Sequence, residues 1–455
     1  MKKEAKQTPP PPSPTADQDG AGDDRLSALD DDLCELIPRL AHLNVRELVH
    51  TSVLSKRWRG LWKRLPVLDF FGWPEFKSAG EVQQYIAIVN DVLEQRAGAT
   101  SEARINEVKI PLLMDAYSLH GLQPLRLWPA AAARATAEQL LTPAMEAAEA
   151  WIRYAMHHQV KGFQFNLRLV PLDNKTPVMD LDELLPSSPK LESMRLGLSS
   201  ANVRLPRTAV FTSLKDLTLE FVELAAGSGH RLARLLSSVC CPSLQKLRMM
   251  CIDLLRAGTK KLVLDTGELL ELSMEVVEGM ELLELRTPKL LYLEIDECYH
   301  ESLRVSAPRL EDLTYGDKRQ VDLIKDKIPQ LPNVTCLLYE YYSADDVDSA
   351  FTCNHPDHWE SSNISLANLR KANFRGMTGT GCELRFLRFV LANATDLQSV
   401  TVSFNLYFIE EELQDSWVHY FLHTLLGDGT WTTCENEDQD FEKLCSKLYK
   451  WTPSP

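Results

Sequence analysis

One spacing recurs along most of this chain: an apolar residue, two others, an apolar residue, one other, an apolar residue. It occurs at Ile105/Val108/Ile110, Val160/Phe163/Phe165, Leu191/Met194/Leu196, Leu214/Leu217/Leu219 and Leu244/Leu247/Met249. It continues at Leu269/Leu272/Met274, Leu290/Leu293/Ile295, Leu310/Leu313/Tyr315, Val334/Leu337/Tyr339 and Leu397/Val400/Val402, with a degenerate copy at Leu369/Ala372/Phe374. In each copy the last two apolar residues flank a single intervening one, so both point to one face of a strand, while the first packs from the incoming turn. A lone strand cannot bury such a face. The copies must therefore stack against one another.

In the central part the copies start about 20 to 30 residues apart, which is the leucine-rich repeat period. Cys298 stands three residues after Ile295, where such repeats place Asn or Cys to bond the turn backbone. Most other copies lack that residue, so an irregular stack is expected. The widest gap, Ile105 to Val160, holds an amphipathic helix from Ala137 to His158 with Ala148, Trp151, Ile152 and Ala155 on one face. A helix between successive strands suits a right-handed crossover.

Ahead of the repeats the chain has another character. Residues 1–23 are rich in Pro, Asp, Gly and Lys and read as a disordered tail. Asp30, Asp31 and Asp32 offer N-caps to a helix carrying Leu33, Leu36, Ile37 and Leu40. A second helix follows with Val45, Leu48, Val49, Ser52 and Val53 on one face. Ser55 can cap a third, whose inward side is Trp58, Leu61 and Trp62 and which Pro66 ends. Three helices of this size bury a low fraction of their surface. The stripe formed by Leu29, Leu33, Leu36, Leu40, Val49, Val53, Leu54, Trp58, Leu61 and Trp62 thus reads as a docking surface more than as a closed core. Lys56, Arg57, Arg59, Lys63 and Arg64 form the solvated face opposite the tryptophans. A linker with Phe71-Gly-Trp-Pro74 and a helical segment around Glu81–Gln95 leads into the repeats.

Composition excludes several classes. The chain has 455 residues, of which 44% are apolar and 25% charged, which is ordinary globular usage. A formal net charge of −15 argues against a nucleic-acid binder, because phosphate neutralisation needs a broad basic face. No run of about 18 apolar residues marks a membrane span, and Met1-Lys-Lys-Glu4 leads into no signal peptide. Ten cysteines lack paired short spacings, so free thiols in a nuclear or cytosolic compartment are expected. Cys240, Cys241 and Cys251 read as buried thiols near a strand. Cys353, His355 and His358, with Cys336 and Cys382 at a distance, match no zinc pattern and read as an exposed loop. Gly376, Gly379 and Gly381 form no phosphate loop, because no Lys-Ser/Thr follows. No catalytic constellation stands out, and neither a cofactor nor a metal is expected.

Residues 24–70 resemble the F-box of plant F-box proteins, especially Asp24-Arg-Leu-Ser-Ala-Leu29 and the stretch Thr51–Trp62. Ala148-Glu-Ala-Trp-Ile-Arg-Tyr-Ala155 followed by Phe163-Gln-Phe-Asn-Leu167 is similar to the first leucine-rich repeats of that family. The segment Cys382–Leu397, then Val400-Thr-Val402, resembles the FBD-type motif that often closes such proteins.

The resemblance implies an α/β fold: an N-terminal three-helix F-box followed by an irregular leucine-rich repeat solenoid. It divides the chain into a disordered tail (1–23), the F-box (24–70), a linker helix (71–103), the repeat region (104–381) and an FBD-like region (382–455). It also implies a non-enzymatic substrate receptor of an SCF-type ubiquitin ligase. The F-box would dock a Skp-type adaptor, and through it a cullin, while the repeats hold a target protein. Two positions depart from the family pattern: Asp30 follows Leu29 where the family has Leu-Pro, and Pro38 falls inside the first helix. An interior proline costs about 3 kcal/mol or more and kinks or breaks a helix. The alternative reading is a repeat scaffold that binds a partner without any ligase.

Overall fold

The computed structural model describes residues 44–47, 63, 65–72, 76, 78–97, 104–113, 130–168, 177–199, 201–258, 260–298, 300–317, 333–341, 366–377, 381–404, 422, 429–434 and 448–453. They form a mixed α/β fold dominated by strands. No helix among them is long and apolar enough to cross a membrane.

The strands that carry the repeated spacing lie side by side in one sheet. They are β1 (Val67–Asp69), β2 (Glu107–Leu113), β3 (Gly162–Arg168), β5 (Ser193–Leu198), β7 (Asp216–Leu224) and β8 (Lys246–Asp253). They continue as β10 (Glu271–Glu278), β12 (Tyr292–Asp296), β14 (Asp312–Asp317), β15 (Cys336–Tyr341), β16 (Lys371–Met377) and β17 (Ser399–Phe404). Every neighbouring pair in this run is parallel. The register follows the spacing strictly. Val108, Phe163, Met194, Leu217, Leu247, Leu272, Leu293, Leu313, Leu337, Ala372 and Val400 stand in one row, all buried.

The sheet also begins earlier than the spacing was followed. Leu68 extends the row ahead of Val108, and Leu65, Leu68 and Phe70, all buried, form a further copy. That copy lies inside the segment that resembles the F-box. At the other end β19 (Leu448–Pro453) pairs antiparallel with β17, and β18 (Gly429–Cys434) pairs antiparallel with β19.

The legs that return the chain from one strand to the next differ along the stack. Near the start they are helices: α1 (Ala79–Ala97) between β1 and β2, and α2 (Ala130–His157) between β2 and β3. The helix around Glu81–Gln95 is thus not a bare connection. Val82, Tyr85 and Val89 are buried, Arg96 Nη2 donates to the Leu65 carbonyl at 2.8 Å, and Trp151 Nε1 donates to Asn90 Oδ1 at 2.8 Å. Shorter legs follow, with β4 (Val178–Asp180) and α3 (Leu181–Leu184), then β6 (Asn202–Arg204) and α4 (Gly229–Leu235). Between β16 and β17 a helix returns, α5 (Gly381–Asn393).

In the centre the return legs are strands: β9 (Lys261–Asp265), β11 (Leu282–Arg286) and β13 (Ser302–Ser306) form a second, parallel sheet. Helical returns do not extend here, for a physical reason. Neighbouring positions such as Ser273 and Glu294 are only 21 residues apart. Two short strands and two turns use up that length, whereas a helical crossover takes a dozen residues or more by itself. Cys298 behaves as its place in the repeat suggests, its Sγ lying 3.4 Å from the Met274 carbonyl and 3.3 Å from that of Asp296.

Candidate partner-binding face

The residues expected to dock an adaptor, Leu29, Leu33, Leu36, Leu40, Val49, Val53, Leu54, Trp58, Leu61 and Trp62, lie outside the described residues. So do Asp30 and Pro38, and so do Cys353, His355 and His358. One fragment of the second expected helix is described. Asn44 and Glu47 cap it reciprocally, the Asn44 N–H donating to Glu47 Oε2 at 3.0 Å and the Glu47 N–H to Asn44 Oδ1 at 2.9 Å. Val45 is 1% exposed and belongs to the same core as Leu65 and Phe70. Gly72, in the left-handed region at φ +88°, lies so close that a Cβ there would be 2.5 Å from Asn44 Nδ2. This capped turn therefore lies beside the turn that leaves the first strand of the sheet.

The main sheet buries one face and offers the other. Residues that alternate with the buried row point outward, and their charges divide along the stack. Strands β3 to β8 carry Arg168, Arg195, Lys246 and Arg248 beside Asp216 and Glu220, whereas β10 to β14 carry Glu271, Glu275, Glu294, Asp296 and Asp312. Ion pairs join the two parts: Lys246 Nζ is 2.7 Å from Glu271, and Arg248 Nη2 is 3.6 Å from Glu275. The hydrogen bond to Glu271 holds the Lys246 ammonium above its usual range. Within the acidic part Ser273 Oγ donates to Glu294 at 2.7 Å. Of the polar positions visible in the sequence, Asp216, Glu271 and Glu294 stand on this face, while Lys215 sits in the preceding turn, 3.7 Å from Glu192.

A backbone irregularity borders the face. Phe221, Cys251, Val276 and Glu297 have φ of +51°, +53°, +52° and +47°. They occupy equivalent places on β7, β8 and β10 and just past β12. The paired rows step from Glu220, Met250 and Glu275 to Val222, Ile252 and Val277, leaving one extra residue in each strand. A left-handed conformation costs an ordinary residue about 1–2 kcal/mol. In return the bulge turns Val222, Ile252 and Val277 back into the core. The bulged residues stay half-buried along the rim. There the Cys251 thiol is pushed up to about 11 by burial, with Glu275 adding to it, so it remains protonated and unreactive at neutral pH.

Beside this rim is a cluster that pattern reading did not find. Asn166, Arg168 and Glu220 are 5%, 4% and 1% exposed although they stand on the side away from the core. Arg195 Nη2 lies 2.6 Å from Glu220 Oε1, and the Arg168 guanidinium carbon is 3.8 Å above the Phe221 ring. Between Asn166 and Glu220 in register stands Gly197, where a Cβ would come within 2.6 Å of Asn166 Oδ1. Polar residues alternating with apolar ones signal only an outward face. That these become buried depends on three strands meeting. The arrangement is suited to recognition through hydrogen bonds, and nothing in it is placed as a nucleophile.

No family model matches the chain, and no solved structure matches it. Curated proteins of Arabidopsis thaliana do. An F-box/FBD/LRR-repeat protein is 51% identical over 51 residues, a match that spans only 11% of this chain and 11% of that relative. An FBD-associated F-box protein is 27% identical over 344 residues, 74% of this chain and 70% of the relative. A second F-box/FBD/LRR-repeat protein is 22% identical over 374 residues, 81% of this chain and 67% of the relative.

Proposed function

From homologues that are plant F-box/FBD/LRR-repeat proteins, matched at low identity over as much as 81% of the chain, we propose that this protein is the substrate-recognition subunit of an SCF-type ubiquitin ligase. Its F-box docks a Skp-type adaptor through the apolar stripe from Leu29 to Trp62, and the adaptor joins it to a cullin. The repeats form a solenoid whose open face holds the target in the nucleus or cytosol. The chain itself performs no chemistry. It raises the effective concentration of target beside a charged ubiquitin-conjugating enzyme, which is catalysis by tethering.

The observation that carries this reading is the pairing, in one chain, of kinship to F-box proteins with stacked parallel strands that leave a charged face open. The place of Val45 in the same buried core as Leu65 and Phe70 supports a fixed spacing between dock and target rather than a loose tether.

The test is a pulldown of purified chain with a Skp-type adaptor at micromolar concentrations. Recovery is expected, and Trp58→Ala with Leu54→Ala should abolish it. Failure of the unaltered chain would leave the repeat scaffold without a ligase, the reading that Asp30 and Pro38 favour. Undiminished recovery by the double variant would move the dock elsewhere.

A further inference from the structure

Cys240 and Cys241 are the only two cysteines adjacent in the sequence. On a strand, neighbouring side chains point to opposite faces. These two stand instead in the turn between α4 and β8, where both backbone N–H groups donate to the Ser237 carbonyl, at 3.1 Å and 2.9 Å. In that turn the two sulfurs meet. The Cys241 thiol donates to the Cys240 sulfur, and Cys240 Sγ donates in turn to the Ala209 carbonyl at 2.8 Å. The hydrogen bond from Cys241 holds the Cys240 thiol below its usual range, and the Arg234 charge acts the same way. The same bond, with burial, pushes Cys241 up.

Such a pair has a chemistry that a solitary thiol lacks. The more acidic member supplies the thiolate, and its neighbour is already in contact to resolve what the first becomes. The residues are 3% and 1% exposed, but their turn lies at the surface, between Val239 at 71% and the exposed Pro242. Reaching the sulfurs requires local opening of this turn rather than of the core. Cys251 on β8 is less buried, yet it has no cysteine next to it in sequence and its thiol is pushed up by burial.

We propose that Cys240 and Cys241 form a peroxide-sensitive dithiol, a modification site that closes to a disulfide between adjacent residues. First the Cys240 thiolate attacks one oxygen of hydrogen peroxide. The O–O bond breaks, the hydroxide that leaves takes up the proton Cys240 had lost, and Cys240 becomes a sulfenic acid. Then the Cys241 sulfur attacks the Cys240 sulfur, the S–O bond breaks, and the hydroxyl departs as water with the Cys241 proton. Two thiols are oxidised to one disulfide, and one peroxide is reduced to two waters.

Consecutive Cα atoms lie about 3.8 Å apart, less than the about 4.4 Å at which ordinary disulfides begin. The product is therefore strained and readily reduced, as a reversible switch requires. Closure also withdraws Cys240 from the Ala209 carbonyl, so it acts on the joint between the legs that lead into β7 and β8.

The experiment treats the folded full chain with hydrogen peroxide, then denatures it, alkylates it with iodoacetamide and digests it with trypsin. The peptide Leu235–Lys246 holds both residues and no other cysteine. It is expected to lose both alkyl groups and two hydrogens while the Cys251 peptide stays alkylated, and dithiothreitol should restore double alkylation. A chain unfolded in urea before the peroxide should lose the preference for this peptide. In Cys241→Ser, checked as folded by circular dichroism, dimedone should trap a sulfenic acid on Cys240. A Leu235–Lys246 peptide that stays doubly alkylated, a Cys251 peptide that oxidises first, the same preference in urea, or no dimedone adduct in the folded variant would each overturn the proposal.

Discussion

The two ends of the main sheet and its centre solve the same packing problem with different material. Near the start, helices α1 and α2 cover the buried face, and aromatic rings fill the gap between layers. Phe76 lies 5.1 Å from Tyr85, Tyr85 lies 6.4 Å from Trp151, and Trp151 lies 6.2 Å from Phe165. Near the other end α5 repeats the device, with Phe386 at 5.4 Å from Tyr339 and 6.1 Å from Phe374.

The centre has no room for it. There β9, β11 and β13 close the layer with Leu262, Leu264, Leu283, Leu285 and Leu303, and charges rather than rings lace the outer side. Glu284 sits between Lys261 at 2.5 Å and Arg286 at 2.6 Å. The difference teaches that repeat length, more than side-chain preference, selects the return leg. A thicker layer of helices needs large aromatic residues to reach the sheet, and a thin strand layer does not.

The largest test of this contrast is Trp151→Ala. It removes a buried ring and leaves Asn90 Oδ1 without its donor, at a cost of about 3–5 kcal/mol. Because stacked repeats couple mainly to their neighbours, hydrogen exchange should lose protection over residues 79–168 and keep it over 246–317. Loss spread evenly along the chain would break the comparison, making both regions one cooperative unit.

Leu283→Ala probes the centre, where a cavity between two thin layers should collapse partly and cost about 2–3 kcal/mol in urea unfolding. Loss confined to β9, β11 and β13 would sharpen the contrast, and loss reaching α1 would undo it.

The smallest effect belongs to Glu284. The Lys261 hydrogen bond, followed by those of Arg286, holds its carboxyl at about 2, below the ordinary 4.5. A depressed carboxylate contributes stability that is present above its usual value and is lost as pH falls through the shifted one. The advantage of the unaltered chain over Glu284→Gln in urea midpoint should therefore be flat above pH 5 and shrink between about 4.5 and 2. An advantage independent of pH in that window would remove the triad from any role in the central sheet.

Much of this fold was legible in advance because its main signal is local. Every copy of the spacing that was followed became a strand, including the degenerate one at Leu369/Ala372/Phe374, where Ala372 and Phe374 are fully buried. The copy at Leu65/Leu68/Phe70 escaped because Leu65 falls at the expected end of the third helix, beside Pro66. The alternations Leu262/Leu264, Leu283/Leu285 and Leu303/Val305 were also present. Two apolar residues per leg, however, do not distinguish a strand from a turn of helix. The stripe from Leu29 to Trp62 was read from helical spacing and family resemblance and lies outside the described residues, so its partner is a matter for the pulldown.

What the sequence determined by itself was the inward face. Period-two alternation after a leading apolar residue leaves no burial for a single strand, so stacking in register was required whatever the rest of the chain did. What only the tertiary structure decided was the outward one. Asn166, Gly197 and Glu220 come from three successive copies of the repeat, and the pairing of parallel strands sets them in one row across β3, β5 and β7. Local pattern records which side a residue faces; who stands beside it is set by the pairing of strands.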